Sequence, residues 1–304
     1  MSSHAADPHQ HPHAHHHEDA HWPDMVDVVE LEWRLLSHFV VETSGRVREL
    51  RAGAAVDLVV DIGSGPGAGT VLLANEFPSA RVVAVDGSQA MLDRAQRRIE
   101  ELGLGTRVET RVVNLPDGLA AESDLAGADL IWAAMVLHHI GNEQHALHAL
   151  GQTLAPGGLL AIAEFGDSSR WVPNRWFPAD TIPGEPGLFD RLDEIGRDWV
   201  RQMRADLPDS TESADYPDML TAAGFELIDD RLVTARLDPP LTAEARRLAA
   251  GQLRRIITQF GERLDVDDRR TLELLVDPDD ARSVVNRDDI FIESSRRIIL
   301  ARHP

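Results

Sequence analysis

The stretch VVDIGSGPGAGT, residues 59–70, follows an apolar run and places four glycines in one turn, so the backbone there is built to approach a ligand closely. Two fingerprints fit it. Gly63, Gly65 and Ala68 satisfy the dinucleotide pattern G-x-G-x-x-[G/A], whereas Gly63, Gly65 and Gly67 give the G-x-G-x-G of another cofactor class. The residue that discriminates is Asp61. A pyrophosphate on this turn would meet a like charge in a partly buried place, at a cost on the order of a kcal/mol or more. S-adenosylmethionine carries a positive amino group and a sulfonium, so an acid beside the turn favours it. About 20 residues further on, Asp86 closes the next apolar run, where a carboxylate can accept from both hydroxyls of a ribose. Either cofactor class wants that acid, so it speaks for a nucleoside without choosing between them.

Working outward, the chain alternates. DLVVDI reads as a buried strand, GTVLLANEF as a helix, RVVAVD as a strand, QAMLDRAQRRIEELG as a helix, RVETRVV and ADLIWAAMV as strands, EQHALHALGQTL as a helix and GGLLAIAEF as a strand. Such alternation predicts a parallel sheet covered on both faces. Ahead of it, residues 25–50 carry apolar positions at helical spacing, with Asp24 as the expected N-cap. After it, a loop-rich segment with Trp171 and Trp176 leads into a helical stretch from Leu188. DYPDMLTAAGFELIDDRLVTARLD then predicts helix and strand, TAEARRLAAGQLRRIITQFGERL and DRRTLELLVD two helices, and IFIESSRRIILAR a closing strand.

Composition excludes several chemistries. The 304 residues include 51 acidic and thirty basic side chains, the latter all arginine, for a formal charge of -21. That charge repels nucleic acid and anionic membranes, and no basic patch reverses it. Without cysteine there are no disulfides, thiolate metal sites or thiol nucleophiles. No run approaches the roughly 18 apolar residues of a membrane span, and the start has no apolar leader, so a cytoplasmic protein is expected. Most of the fourteen histidines crowd the first 21 residues. A polar tract of that kind is expected to be a disordered tail, with weak metal binding as its alternative role and no metal site in the body.

The ordered set VVDIGSGPG, VVAVDGS, VVNLPDG, ADLIWAAMVLHHI and LAPGGLLAIAE, with DMLTAAGFELI later, resembles the class I S-adenosylmethionine-dependent methyltransferases of the actinobacterial small-molecule type. The resemblance covers about residues 56–165 and 218–228. It implies a Rossmann-like α/β fold, a seven-stranded, mostly parallel sheet with an antiparallel last strand, and helical lid elements. It also implies S-adenosylmethionine as cofactor: Asp61, Gly63, Ser64, Gly65 and Gly67 would line its methionine part, Asp86 and Gly87 the ribose, Asn114 and Leu115 the adenine edge, and Ala133 the neighbourhood of the transferring methyl. Many relatives have Asp at the Asn114 position; Asn accepts through its carbonyl instead.

Methyl transfer from a sulfonium needs mainly an aligned nucleophile, and positioning alone contributes about 7–11 kcal/mol in well-oriented systems. A general base adds about 10²–10⁴-fold where the nucleophile must lose a proton. The candidates are His138 and His139, of which His139, opening HIGN, is favoured. Glu164 is the second candidate, to orient a substrate or a histidine, with a solvated strand-end acid as its alternative. Trp33, Trp132, Trp171 and Trp176 are expected as an apolar wall, and Arg170 and Arg175 as places for a carboxylate. The segment WAAM departs from the [DN]-P-P-[YFW] run that holds a flipped base, so a nucleic-acid substrate is not expected.

The expected organisation is a His-rich tail over 1–21, a helical lid over 22–50, a cofactor-binding core over 51–165, a substrate lid over 166–215, and a C-terminal part over 216–304 with a helical insertion at about 238–290. The expected function is methyl transfer, O-methylation ahead of N or C, to a small apolar or aromatic acceptor, in a protein compatible with a homodimer. The alternatives are an inactive S-adenosylmethionine-binding or metal-handling protein, and an NAD(P)-dependent oxidoreductase.

Overall fold

Strands made almost wholly of Val, Ile, Leu and Ala can be stable only where both faces are covered, and the chain uses them that way. The computed structural model describes residues 22–165, 177, 182–184, 186–207 and 215–304, with side chains from Val26 onward. Seven strands form one sheet: β1 (Leu58–Ile62), β2 (Arg81–Asp86), β3 (Val108–Val112), β4 (Ala128–Ala134), β5 (Leu154–Phe165), β6 (Glu226–Leu237) and β7 (Ile292–Arg302). Their order is β3-β2-β1-β4-β5-β7-β6. β7 runs antiparallel to both neighbours, inserted between β5 and β6, and the other neighbouring pairs are parallel.

Alternation along each strand divides the core. Val60, Ile62, Ile131, Ala133, Leu160 and Ile162 face one side, packing against α5 (Glu143–Thr153) and α7 (Tyr216–Ala222). Val59, Leu130, Trp132, Ala161 and Ala163 face the other, under α2 (His38–Leu50), α3 (Ala68–Glu76) and α4 (Gln89–Glu101). A third apolar cluster joins α1 (Trp22–Leu36), α6 (Leu188–Ala205), α8 (Ala243–Phe260) and α9 (Val266–Val276) with the start of β7. That cluster stands at the carboxyl edge of the parallel strands, the edge where open α/β sheets bind ligands.

Local signals fixed most helix starts. Ser88, Asn142, Asp215, Thr242 and Asp265 each accept a backbone N–H of the helix they open. Asp24 does not start α1, which begins at Trp22 and has Asp24 inside its first turn. The expected tail over 1–21 and the residues Arg170, Trp171, Arg175 and Trp176 lie outside the described residues. No helix among the described residues is long and apolar enough to cross a membrane.

Candidate active site

The glycine loop sits between β1 and α3, tied to β2 at both ends of its turn. Gly63 and Ser64 donate to the Val85 carbonyl at 2.8 and 3.0 Å, and Gly65 donates to Asp86 Oδ2 at 2.9 Å. Asp86 Oδ1 accepts from Ser88 N at 2.8 Å. Each carboxylate oxygen thus uses one lone pair to shape the loop and keeps another for a ligand hydroxyl.

The glycines do not share one purpose. A Cβ on Gly63 would lie 2.3 Å from Val136 Cγ2, one on Gly67 would lie 2.7 Å from Ala95 Cβ, and one on Gly69 would lie 3.2 Å from the Trp33 ring. Beside Gly65, with φ +53°, nothing lies within 4 Å. Gly65 is therefore the place where the loop's backbone is open to a ligand, while its neighbours make room for the protein. Both Gly63→Ala and Gly65→Ala carry about 1–2 kcal/mol of left-handed strain. Overpacking against Val136 adds about 1–3 kcal/mol at Gly63 alone. Denaturant titration should show the larger loss at Gly63, and ligand binding should fail in Gly65→Ala protein that is still folded; equal stability losses would refute the distinction.

Asp61 is 3 % exposed and accepts from Thr70 Oγ1 at 2.6 Å; no other hydrogen bond to its carboxylate is formed among the described residues. Burial pushes its pKa up to about 7 despite the Thr70 bond, and Asp86 adds to the rise. Ser64 Oγ is also buried without a hydrogen-bond partner. An under-partnered buried acid, an orphan hydroxyl and an open backbone at Gly65 together fit a ligand that brings a cation and hydrogen-bonding groups, as S-adenosylmethionine does.

At the adenine side, Asn114 Oδ1 lies 3.6 Å from where a Cβ on Gly87 would stand, so the two sequence candidates are neighbours. Leu115 packs at the edge of the core. Ala133 is fully buried beside Ile62, its register partner, so its methyl is enclosed in the core. The tip of β4 is formed by Ala134, Met135 and Val136, and Met135 has a left-handed backbone with φ 55°.

Beyond that tip, Glu164 ends β5 and is 5 % exposed, which rules out the solvated-acid alternative. Its Oε2 lies 2.7 Å from His138 Nδ1 and its Oε1 accepts from Leu137 N at 3.1 Å. His138 is buried, and His139 is exposed with its ring centroid 4.1 Å from that of His138. Phe165 closes the other side of His138 at 5.0 Å.

Three residues that sequence reasoning missed back this pair. Tyr216, the single tyrosine of the chain, is 7 % exposed and bonded to Arg204, and Arg204 forms a buried ion pair with Glu143. Burial, with a smaller contribution from the Glu164 charge, holds the Tyr216 hydroxyl far above its usual range, so it stays protonated and is no base. A lone tyrosine was the available signal; nothing in the sequence connected it to α6 or α5. The tryptophans divide as well. Trp132 is core, 1 % exposed and stacked on Phe39 at 6.1 Å, so it forms no acceptor wall. Trp33 lies over Gly69, beside Asp61.

Residues 60–160 match the family described as a methyltransferase domain. Trans-aconitate 2-methyltransferase of Variovorax paradoxus is 41% identical over 104 residues, which make up 34% of this chain and 37% of that protein. The Escherichia coli protein of the same name is 27% identical over 203 residues, 64% of this chain and 67% of the relative. The structure of geranyl diphosphate C-methyltransferase from Streptomyces coelicolor superposes with a TM-score of 0.44 at 18% identity, over 86% of this chain and 76% of that one. The chain spans less than half the length of the first curated relatives it matches.

Proposed function

We propose that this protein, whose residues 60–160 match a methyltransferase domain, uses S-adenosylmethionine to O-methylate a carboxylate of a small acceptor. The observation that carries the cofactor half is Asp61, a buried acid with one hydrogen bond beside the open Gly65 backbone. The acceptor half is supported by relatives named for trans-aconitate, a tricarboxylate. Of the tryptophans expected to wall an apolar acceptor, Trp132 packs in the core instead.

S-adenosylmethionine, when bound, supplies an electrophilic methyl group on a sulfonium. Asp61 would hold its amino group, Ser64, Gly65 and Gly67 would line the methionine part, and Asp86, Gly87, Asn114 and Leu115 the nucleoside. The cofactor's leaving group would be a neutral thioether, so what is asked of this chain's residues is to line an acceptor oxygen up with the methyl group. A carboxylate is already ionised near neutral pH, so this reaction needs alignment more than proton removal. His139, exposed and set against His138, is the histidine able to meet the acceptor. His138, held by Glu164, fixes its ring, so both are positioning residues here. Residues 22–50, 188–205 and 238–290 would roof the cleft, and the rest of the expected lid over 166–215 lies largely outside the described residues.

The test is the product. Incubation with S-adenosylmethionine and trans-aconitate should give a methylated product whose new group is released as methanol by mild base, as an ester must be; a base-stable product would mean transfer to hydroxyl, nitrogen or carbon. His139→Gln should leave cofactor affinity intact and lower turnover by about 10-fold, with a pH profile close to wild type. A loss of about 10²–10⁴-fold with a flattened profile would instead mark His139 as a general base for a protonated acceptor. Unchanged turnover would remove it from the site.

A further inference from the structure

α1 and α8 pack against each other at the carboxyl edge of the sheet, in contact where a Cβ on Gly251 would lie 2.6 Å from Val28 Cγ2. Near this contact, Glu32 of α1 reaches into a group of polar side chains from α8 and β7. Its Oε1 accepts from Arg296 Nη2 at 2.6 Å and its Oε2 from Gln252 Nε2 at 3.1 Å. Arg296 also donates to Ser294 Oγ and the Ser295 carbonyl. Both Glu32 oxygens are engaged, yet a second cation stands beside them. Arg255, one turn from Gln252, has its Nε shielded from water without a hydrogen-bond partner, and no ion pair to it is formed among the described residues. Burial holds Arg255 below the ordinary arginine range, Glu32 partly restores it, and Arg296 works against it.

The group therefore carries two guanidinium charges against one carboxylate, in a chain of net charge -21. An uncompensated, largely desolvated cation destabilises the fold unless something else uses it. Its place says what could. Arg296 is in register with Phe165, whose ring lies against His138, and Trp33, the residue after Glu32, lies against Gly69 in the first turn of α3. The cluster thus hangs on α1 and β7, the elements that meet the two parts of the candidate active site.

We propose that Arg255 is a specificity-determining residue that seats a second, non-reacting anionic group of the acceptor, with Glu32 and Gln252 fixing the neighbouring Arg296 so that Arg255 stays unpaired. The acceptor is accordingly a small molecule with at least two anionic groups, one methylated and one held. This rests on the carboxylate O-methylation proposed above. A lone monocarboxylate can react but gains nothing from Arg255.

The experiment compares wild type, Arg255→Gln and Arg255→Lys, with trans-aconitate and the monocarboxylate crotonate as probes. In the wild-type protein saturated with S-adenosylhomocysteine, calorimetry should show trans-aconitate binding more tightly than crotonate. Arg255→Gln should weaken trans-aconitate binding by about 10- to 100-fold, leave crotonate and S-adenosylhomocysteine unchanged, and be as stable as wild type or more so. Arg255→Lys should recover part of the loss. If turnover is observed, the change should fall on KM for trans-aconitate with kcat nearly constant. Equal effects on the two probes, a loss confined to the cofactor, or destabilisation of Arg255→Gln would overturn the proposal. If trans-aconitate binds through Arg255 but no ester forms, the reaction proposed above fails while the anion seat stands; if the ester forms equally well in Arg255→Gln, the anion seat fails while the reaction stands.

Discussion

Asp61→Asn is expected to give a protein that is more stable than wild type above pH 7 and that binds S-adenosylhomocysteine on the order of 10²-fold more weakly. The stability half follows from proton linkage. The Asp61 pKa is raised from 3.8 to about 7 on folding, so the folded state holds the proton where the unfolded state has lost it. Stability from this group is therefore greatest below the unfolded value, falls as pH rises through the interval, and is at its lowest above about 7. The shift corresponds to about 4 kcal/mol of penalty for the ionised form. Asn removes the charge and introduces an amide whose N–H groups need partners, a cost of about 1–3 kcal/mol, so a net gain of about 1–3 kcal/mol should remain. The binding half follows from the same burial. A cation arriving at Asp61 must draw on the ionised carboxylate, so wild-type affinity should weaken toward about tenfold per unit as pH falls below 7. Asp61→Asn should show no such slope. Chemical denaturation and calorimetry across about pH 6–8 read both effects. An unchanged affinity in the variant would mean that Asp61 serves Thr70 and the loop alone.

The second large effect is expected at Arg204. Its partner Glu143 is 1 % exposed and has a second oxygen, Oε2, with no hydrogen bond. Arg204→Met leaves that carboxylate buried without its cation, which costs about 3–5 kcal/mol. Adding Glu143→Leu should return most of the loss, because an apolar pair of similar volume is commonly neutral or better in such a place. The pair links α6 to the start of α5, and Tyr216 is bonded to Arg204, so part of the loss should appear as exchange of α6 amides with the sheet still protected. Urea denaturation and hydrogen exchange separate the local from the global loss; a single variant as stable as wild type would show that the pair carries none of the packing.

The inner strands β1, β2, β4 and β5 were legible because each carries an apolar run bounded by turn residues, and the parallel sheet because such runs alternate with helices. Asp61 and Asp86 were legible as well, since a strand end followed by glycines leaves few positions for an acid. The histidine pair was legible as a pair only. His138 and His139 differ by about 100° of rotation and have like chemistry, so what separates them is burial: Glu164, 26 residues further along the chain, takes the first and leaves the second exposed. Arg204, Tyr216, Glu32 and Arg255 gave no local sign, because a charged or aromatic residue on an amphipathic helix looks the same whether its partner is water or a distant side chain, as Glu143 is to Arg204 at 61 residues and Arg296 to Glu32 at 264.

By itself the sequence determined the α/β alternation and the acids at the strand ends. These depend on neighbours along the chain, and periodicity with local charge is enough to read them. Only the tertiary structure decided what each glycine is for. Gly63, Gly67 and Gly69 yield space to Val136, Ala95 and Trp33, which come from other elements, and Gly65 alone opens outward. A missing Cβ records that something approaches, and what approaches is set by packing between distant segments.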